Sequence, residues 1–144
     1  MYFDALLERI RTTGSNPVGA SPSEIAALEE ALGIRVPAAY REFLEIFGRD
    51  QAGLWVGSDV FLENITNNRA VCRQLLVDNE IDPAIIENAV VWFTHQGYIA
   101  SWFHPGEAPD PPVFLFNEST YERGVHSPGT FTQLVNADAT DLLV

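Results

Sequence analysis

Lysine is absent from this 144-residue chain; all eight basic residues are arginine. With no lysine to follow Gly53 or Gly57, no P-loop is available to cradle phosphates. There is a single cysteine, Cys72, so neither an internal disulfide nor a cysteine-based zinc cluster can form. No apolar run approaches the roughly 20 residues of a membrane span. The first residues, MYFDALLERIRTTG, lack the basic start and apolar core of a signal peptide. These absences lead us to expect a soluble, cytoplasmic protein.

Positive charge is also scarce. Twenty acids stand against the eight arginines, for a net charge of −12. Residues 1–50 hold eight acids and five arginines, residues 51–144 twelve acids and three arginines, and beyond Arg73 the only base is Arg123. A field of this sign repels nucleic acid and anionic membranes and draws a basic partner inward. Aromatic side chains without basic flanks likewise argue against an RNA-binding sheet. Plain solubility accounts for an acidic surface equally well.

Hydrophobic residues make up 47% of the chain and include three tryptophans and nine phenylalanines. That is enough for a genuine core in a single domain spanning residues 1–144. Phe3, Leu6, Leu7 and Ile10 recur at helical spacing. A breaker-rich loop follows over residues 14–22. Ser21 then reads as an N-cap, with Pro22 in the first helical position and Glu24 completing a capping box. Ile25, Leu28 and Leu32 form the apolar stripe of this second helix, and Gly33 is its left-handed stop. Pro37 opens a third helix that carries Tyr40, Phe43, Leu44 and Phe47 on one face and ends at Gly48.

Beyond residue 50 the pattern changes. A short strand is expected over residues 54–56, with a turn at Gly57-Ser58-Asp59. Thr66 is placed to cap a helix running to Asn79, with Val71, Cys72, Leu75 and Leu76 facing inward. Residues 83–88 suit one more helical turn. Three aromatic and β-branched runs, AVVWFTH, YIASWFH and PVFLFN, read as strands. Gln96-Gly97 is a tight hairpin turn between the first two, and residues 105–112 a longer loop before the third. Residues 121–125 suggest a further strand. Ser127-Pro128 precedes a short helix holding Phe131, Leu134 and Val135. Helices first and antiparallel strands later define an α+β fold: an antiparallel, bent sheet with the N-terminal helices packed on one side.

Within this pattern Glu24-Ile25, Leu28-Glu29, Leu32-Gly33, Val36-Pro37, Tyr40, Phe43-Leu44 and Gly48 resemble the signature of the SUKH superfamily. The later block fits as well, through the apolar strand 90–93, the turn at Gly97, Trp102 and Phe103, Pro112-Val113, and the C-terminal pair Phe131 and Leu134. The sequence departs from the pattern at Phe47, where the family usually has asparagine, and at Val36, where leucine is commoner. Residues 57–88 match no part of it. The resemblance implies protein recognition: bacterial members look like immunity proteins that neutralise toxins, often nucleases, and fungal members like regulatory scaffolds. It carries no shared catalytic residues, so neither an enzyme nor a cofactor is expected.

The residues themselves agree. His95, His104 and His126 lack any tight two-histidine spacing, and strand-end histidines with local hydrogen bonds are the simpler reading. Cys72, on an apolar helix stripe, suits a small buried hydrophobe. Ser58 and Ser101 lack a nucleophile elbow. Asp59, Glu63, Glu107, Asp110, Glu118 and Glu122, on predicted loops or strand ends of the acidic region, are the candidates for contacting a basic toxin domain. Tyr98 and Tyr121 are the candidate aromatic anchors. A regulatory scaffold with an endogenous partner is the alternative, and a small metal-dependent hydrolase is the third reading.

Overall fold

A computed structural model describes residues 1–142 apart from Val56 and Phe61, and the backbone alone of residues 121–123 and 140–142. Among the described residues five α-helices and a five-stranded sheet make up the α+β fold. The helices are α1 (Asp4–Thr12), α2 (Pro22–Leu32), α3 (Ala38–Phe47), α4 (Ile65–Asp78) and α5 (Phe131–Leu142). The strands are β1 (Ser58–Asp59), β2 (Val90–His95), β3 (Ile99–Phe103), β4 (Pro112–Asn117) and β5 (His126–Thr130). They pair antiparallel in chain order, β1-β2-β3-β4-β5.

The N-terminal elbow forms as its chemistry dictates. Ser21 Oγ accepts from the Glu24 N–H at 3.2 Å, and the Ser21 N–H donates to Glu24 Oε1 at 3.0 Å, closing the capping box. At the far end Gly33 adopts φ 68°, a conformation that favours glycine. Its N–H donates to Glu30 O and that of Ile34 to Glu29 O, the Schellman pair. Glu29 then ties the elbow shut: its carboxylate accepts from the Val36 N–H at 2.9 Å and from the Arg41 guanidinium at 2.8 Å. Pro37 sits one position earlier than expected, as the extended residue immediately before α3. The loop before α2 lies so close to the end of α3 that a Cβ on Gly19 would stand 1.6 Å from the Glu45 carbonyl oxygen. There the Ala20 N–H caps Leu44 O at 2.8 Å.

The sheet packs on both faces. On one face α1, α2, α3 and α5 cover Val90, Trp92, Phe103 and Val113. The centre of this core is aromatic. Phe131, the first residue of α5, has ring centroids 5.0 Å from Trp92, 5.4 Å from Tyr40, 5.5 Å from Phe43, 5.7 Å from Phe103 and 6.2 Å from Phe3. A register shift between Val91 and Phe93 lets two consecutive aromatics, Trp92 and Phe93, lean towards this same core. The N-terminal helices therefore pack on one side as expected. The opposite face, Val91, Ala100, Trp102 and Phe116, is covered by Cys72, Leu75 and Leu76 of α4 and by Ile86. That second helical layer is the helix expected up to Asn79, in the segment 57–88 that matched no part of the family pattern.

Several local expectations are corrected. No strand forms at residues 54–55, and Val56 lies outside the described residues. Ala52, Gly53 and Trp55 have φ of 57°, 83° and 52°, which no extended strand tolerates, and the chain instead curls to bring Trp55 against Phe43 and Phe47 at 5.7 Å. Ser58-Asp59, expected as a turn, is β1, paired with His95 and Thr94. Thr66 does not cap α4: a 3₁₀ turn, Leu62–Asn64, runs straight into it, and Asn64 is already helical (φ −91°, ψ −17°). Val71 is only half-buried, while Asn68 is buried in the stripe. Residues 118–123 form two 3₁₀ turns kinked at Thr120 rather than part of a strand, the first started by Asn117 Oδ1 accepting from the Ser119 N–H at 3.0 Å. Ser127-Pro128 belongs to β5, where a proline is tolerated because this is an edge strand with a register shift. Thr130 and Gln133 form a capping box at the start of α5 that the sequence reading missed.

Two outcomes follow for stability. Phe43 is fully buried among six aromatic rings. Phe43→Ala should lower the unfolding free energy by about 3–5 kcal/mol in urea titration, whereas Val77→Ala at an exposed site should stay within about 0.5 kcal/mol. Burial pushes the Glu29 carboxyl up, but the Val36 N–H and the Arg41 guanidinium outweigh it, so Glu29 titrates below the ordinary carboxylate range. Its contribution is present above the unfolded value of about 4.3 and is lost as pH falls through the folded value. Glu29→Gln should therefore be less stable than the parent at pH 7, and the two should converge as the solution is acidified.

Candidate functional site

The candidate residues fall into three places, set by the strand order. The first is the β2–β3 hairpin end. Gln96 and Gly97 both have positive φ, 48° and 79°, as a tight two-residue hairpin turn requires. Tyr98 follows, half-buried, with its ring edge-on to His95 at 5.4 Å. The Tyr98 carbonyl accepts from the Glu118 N–H at 2.9 Å, and Glu118 Oε1 accepts from Asn79 Nδ2 at 3.2 Å. Tyr98 and Glu118 are thus brought together, beside the C-terminal end of α4 with its exposed Asp78 and Glu80. Asp59 is exposed on the adjoining edge strand, next to Ser58, whose Oγ lies 2.8 Å from His95 Nδ1.

The second place is the opposite end of the sheet. Glu107 is exposed on the loop before β4. Asp110, on the same loop, is engaged: its carboxylate accepts from the Thr132 N–H at 3.0 Å and the Thr132 hydroxyl at 2.5 Å. With the Ala39 N–H donating to Pro109 O at 2.8 Å, it fastens this loop to α3 and α5. The third is Glu63, exposed beside Glu24, Gly48 and Arg49 in a cleft of about 170 Å³. The side chains of Tyr121 and Glu122 lie outside the described residues.

Catalytic groupings find little support in this geometry. His95 ends β2 at the hairpin, His104 follows β3 at the far end, and His126 is exposed on β5 opposite Leu115. Among the described residues no group of three His, Cys, Asp or Glu side chains lies close enough to hold a metal ion. Cys72 is fully buried, and burial pushes its thiol up to about 12, against a smaller opposing pull from Arg69. Ser101 is also buried, accepting from Trp92 Nε1 at 2.9 Å and donating to Phe114 O at 2.7 Å.

One polar residue that holds the site together was missed. Asn68, 1% exposed, donates to the Asp59 carbonyl at 2.7 Å and accepts from the Thr94 hydroxyl at 3.1 Å, linking α4 to β1 and β2. The signal was present: Asn68 occupies an inward position in the stripe Ile65, Cys72, Leu75 and Leu76.

The layering is that of an α+β fold, with the candidate side chains spread over its surfaces rather than gathered at one place. The chain belongs to the SMI1 / KNR4 family (SUKH-1), whose model matches residues 19–137. That match includes the segment 57–88, in which the resemblance read from the sequence found no counterpart. The family is generally non-catalytic and fits an immunity-like or regulatory interaction role. No curated protein matches the chain. No helix among the described residues is long and apolar enough to cross a membrane.

The Cys72 environment gives a direct check. In native protein at pH 8 the thiol should stay silent towards a colourimetric disulfide reagent for hours and react fully only in denaturant. Rapid labelling of folded protein would contradict the packed α4–sheet interface.

Proposed function

We propose that this chain is a single SUKH-type domain acting as an immunity protein, which captures a cognate basic toxin domain and blocks it sterically and electrostatically. The observation that supports this best is the hairpin end: Tyr98, an amphipathic ring, set beside the exposed carboxylates of Glu118, Asp78 and Glu80, with Asp59 on the neighbouring edge. Among the described residues none of these acids forms an ion pair with an arginine. Such a surface suits an aromatic anchor ringed by charge that speeds encounter with a basic protein. A standard interface buries about 800 Å² on each partner, so contacts would extend beyond this group. Glu63, Glu107, Tyr121 and Glu122 remain candidates for that periphery. Asp110 contributes charge while its carboxylate holds the fold.

The test is co-expression with basic toxin domains encoded in the same locus. Growth rescue and a stable complex are expected with the cognate domain. Replacing Glu80 and Glu118 together by arginine should slow association at least tenfold at low salt, and raising the salt should slow the parent in the same way. Rescue without a complex, or an association rate indifferent to both salt and charge reversal, would remove this surface from the account. Recovery of an endogenous protein instead would favour the regulatory alternative.

A further inference from the structure

β2 is unevenly supported. Along one side it pairs with β3 over its whole length, but on the other side β1 reaches only Thr94 and His95. Among the described residues Val90 and Val91 have strand neighbours on one side alone, Phe103 and Trp102. The unpaired side meets a cleft of about 410 Å³, bounded by the α2–α3 elbow at residues 31–34, the first turns of α4, and residues 88–91. That size falls within the range of about 300–1,000 Å³ common to ligand clefts.

Two features show what this cleft is suited to hold. The Arg69 guanidinium donates to the Ala89 main-chain carbonyl at 3.1 Å, a bond that the N–H of a neighbouring strand would otherwise make. Alternate residues of a strand direct their N–H and C=O to the same side, so Val91 shares the side on which Ala89 meets Arg69. The lining is otherwise apolar or neutral: among the described residues Arg69 is its one charged member, and none is a carboxylate. This is unusual in a chain with 20 acids; the neighbouring clefts hold Glu24 and Glu63, Asp82 and Glu87, or Glu29. Arg73, one turn further along α4, lines the adjoining cleft together with Arg69.

We propose that this cleft receives an extended peptide segment of a protein partner, which adds to β2 as a strand and sets an acidic side chain against Arg69. Strand addition uses main-chain bonds for affinity and alternate side chains for specificity. Three residues of such a segment span about 10 Å. The charge preference is opposite to that of the hairpin end, so the two surfaces are chemically separate, and this proposal does not rest on the immunity reading.

The test uses random linear 12-residue peptides displayed on phage, selected against the full chain, with the best binder synthesised. Selected sequences should pair β-branched residues with an aspartate or glutamate. Arg69→Glu, or Ala31→Glu from the facing wall, should weaken binding at least tenfold. Both positions are exposed, so near-UV circular dichroism should show native packing, and Ala31→Glu suffices if Arg69→Glu does not fold. N-methylation of the peptide at alternate residues should abolish binding in one parity and spare it in the other. Amide shifts should centre on residues 88–92. Enrichment of basic peptides, indifference to both variants or to N-methylation, or no peptide binding tighter than about 1 mM, would overturn the proposal.

Discussion

The ring stack around Phe43 and Phe131 is the contact on which the other elements depend. The residue before α1 enters it as Phe3, α3 through Tyr40, Phe43 and Phe47, the sheet through Trp92 and Phe103, and α5 through its first residue. Most pairs are edge-to-face, the arrangement aromatic quadrupoles favour. Trp55 adds to the stack from a backbone with φ 52°. A non-glycine residue in that region costs about 1–3 kcal/mol, which burial of a ring of this size offsets. Outside this core a few acids also hold the fold, Glu29 at the elbow and Asp110 at the loop before β4.

What the sequence made legible follows from how local each cause is. The Ser21 capping box, the Gly33 stop and the stripes of α2 and α3 depend on neighbours within four residues, and all three appear as read. The three long strands and the Gln96-Gly97 turn were equally readable, since alternation and turn chemistry are local too. Apart from two local misreadings, the start of α4 and the Thr130–Gln133 box, the errors lie where a distant partner decides. Trp55 leaves the extended conformation to reach Phe43 and Phe47. Ser58 and Asp59 are a strand only because Thr94 and His95 lie alongside. Asn68 is buried only because Asp59 O and Thr94 are there to satisfy it. Ser127 and Pro128 are drawn into the sheet by β4.

The candidate surface was legible in its chemistry and not in its grouping. Composition pointed to acids and tyrosines beyond Arg73. Topology then sorted them: Tyr98 and Glu118 meet because β3 and β4 are neighbours, while Glu107 is carried to the far end. Asp110 carries the same charge as the others, yet its hydrogen bonds to Thr132 assign it to the fold. No property of the aspartate itself distinguishes those two roles. The cleft at the β2 edge was invisible for a related reason, since it is made by what β1 fails to cover.

The position of Phe131 in the chain also bears on how the protein is made. Its five aromatic partners lie between residues 3 and 103, so the principal core cannot close until that ring has left the ribosome. During synthesis the N-terminal helices and the first strands emerge with their apolar faces uncovered, a state prone to mispairing and to chaperone capture. Truncations that stop before residue 131 would leave a collapsed intermediate rather than a smaller native protein.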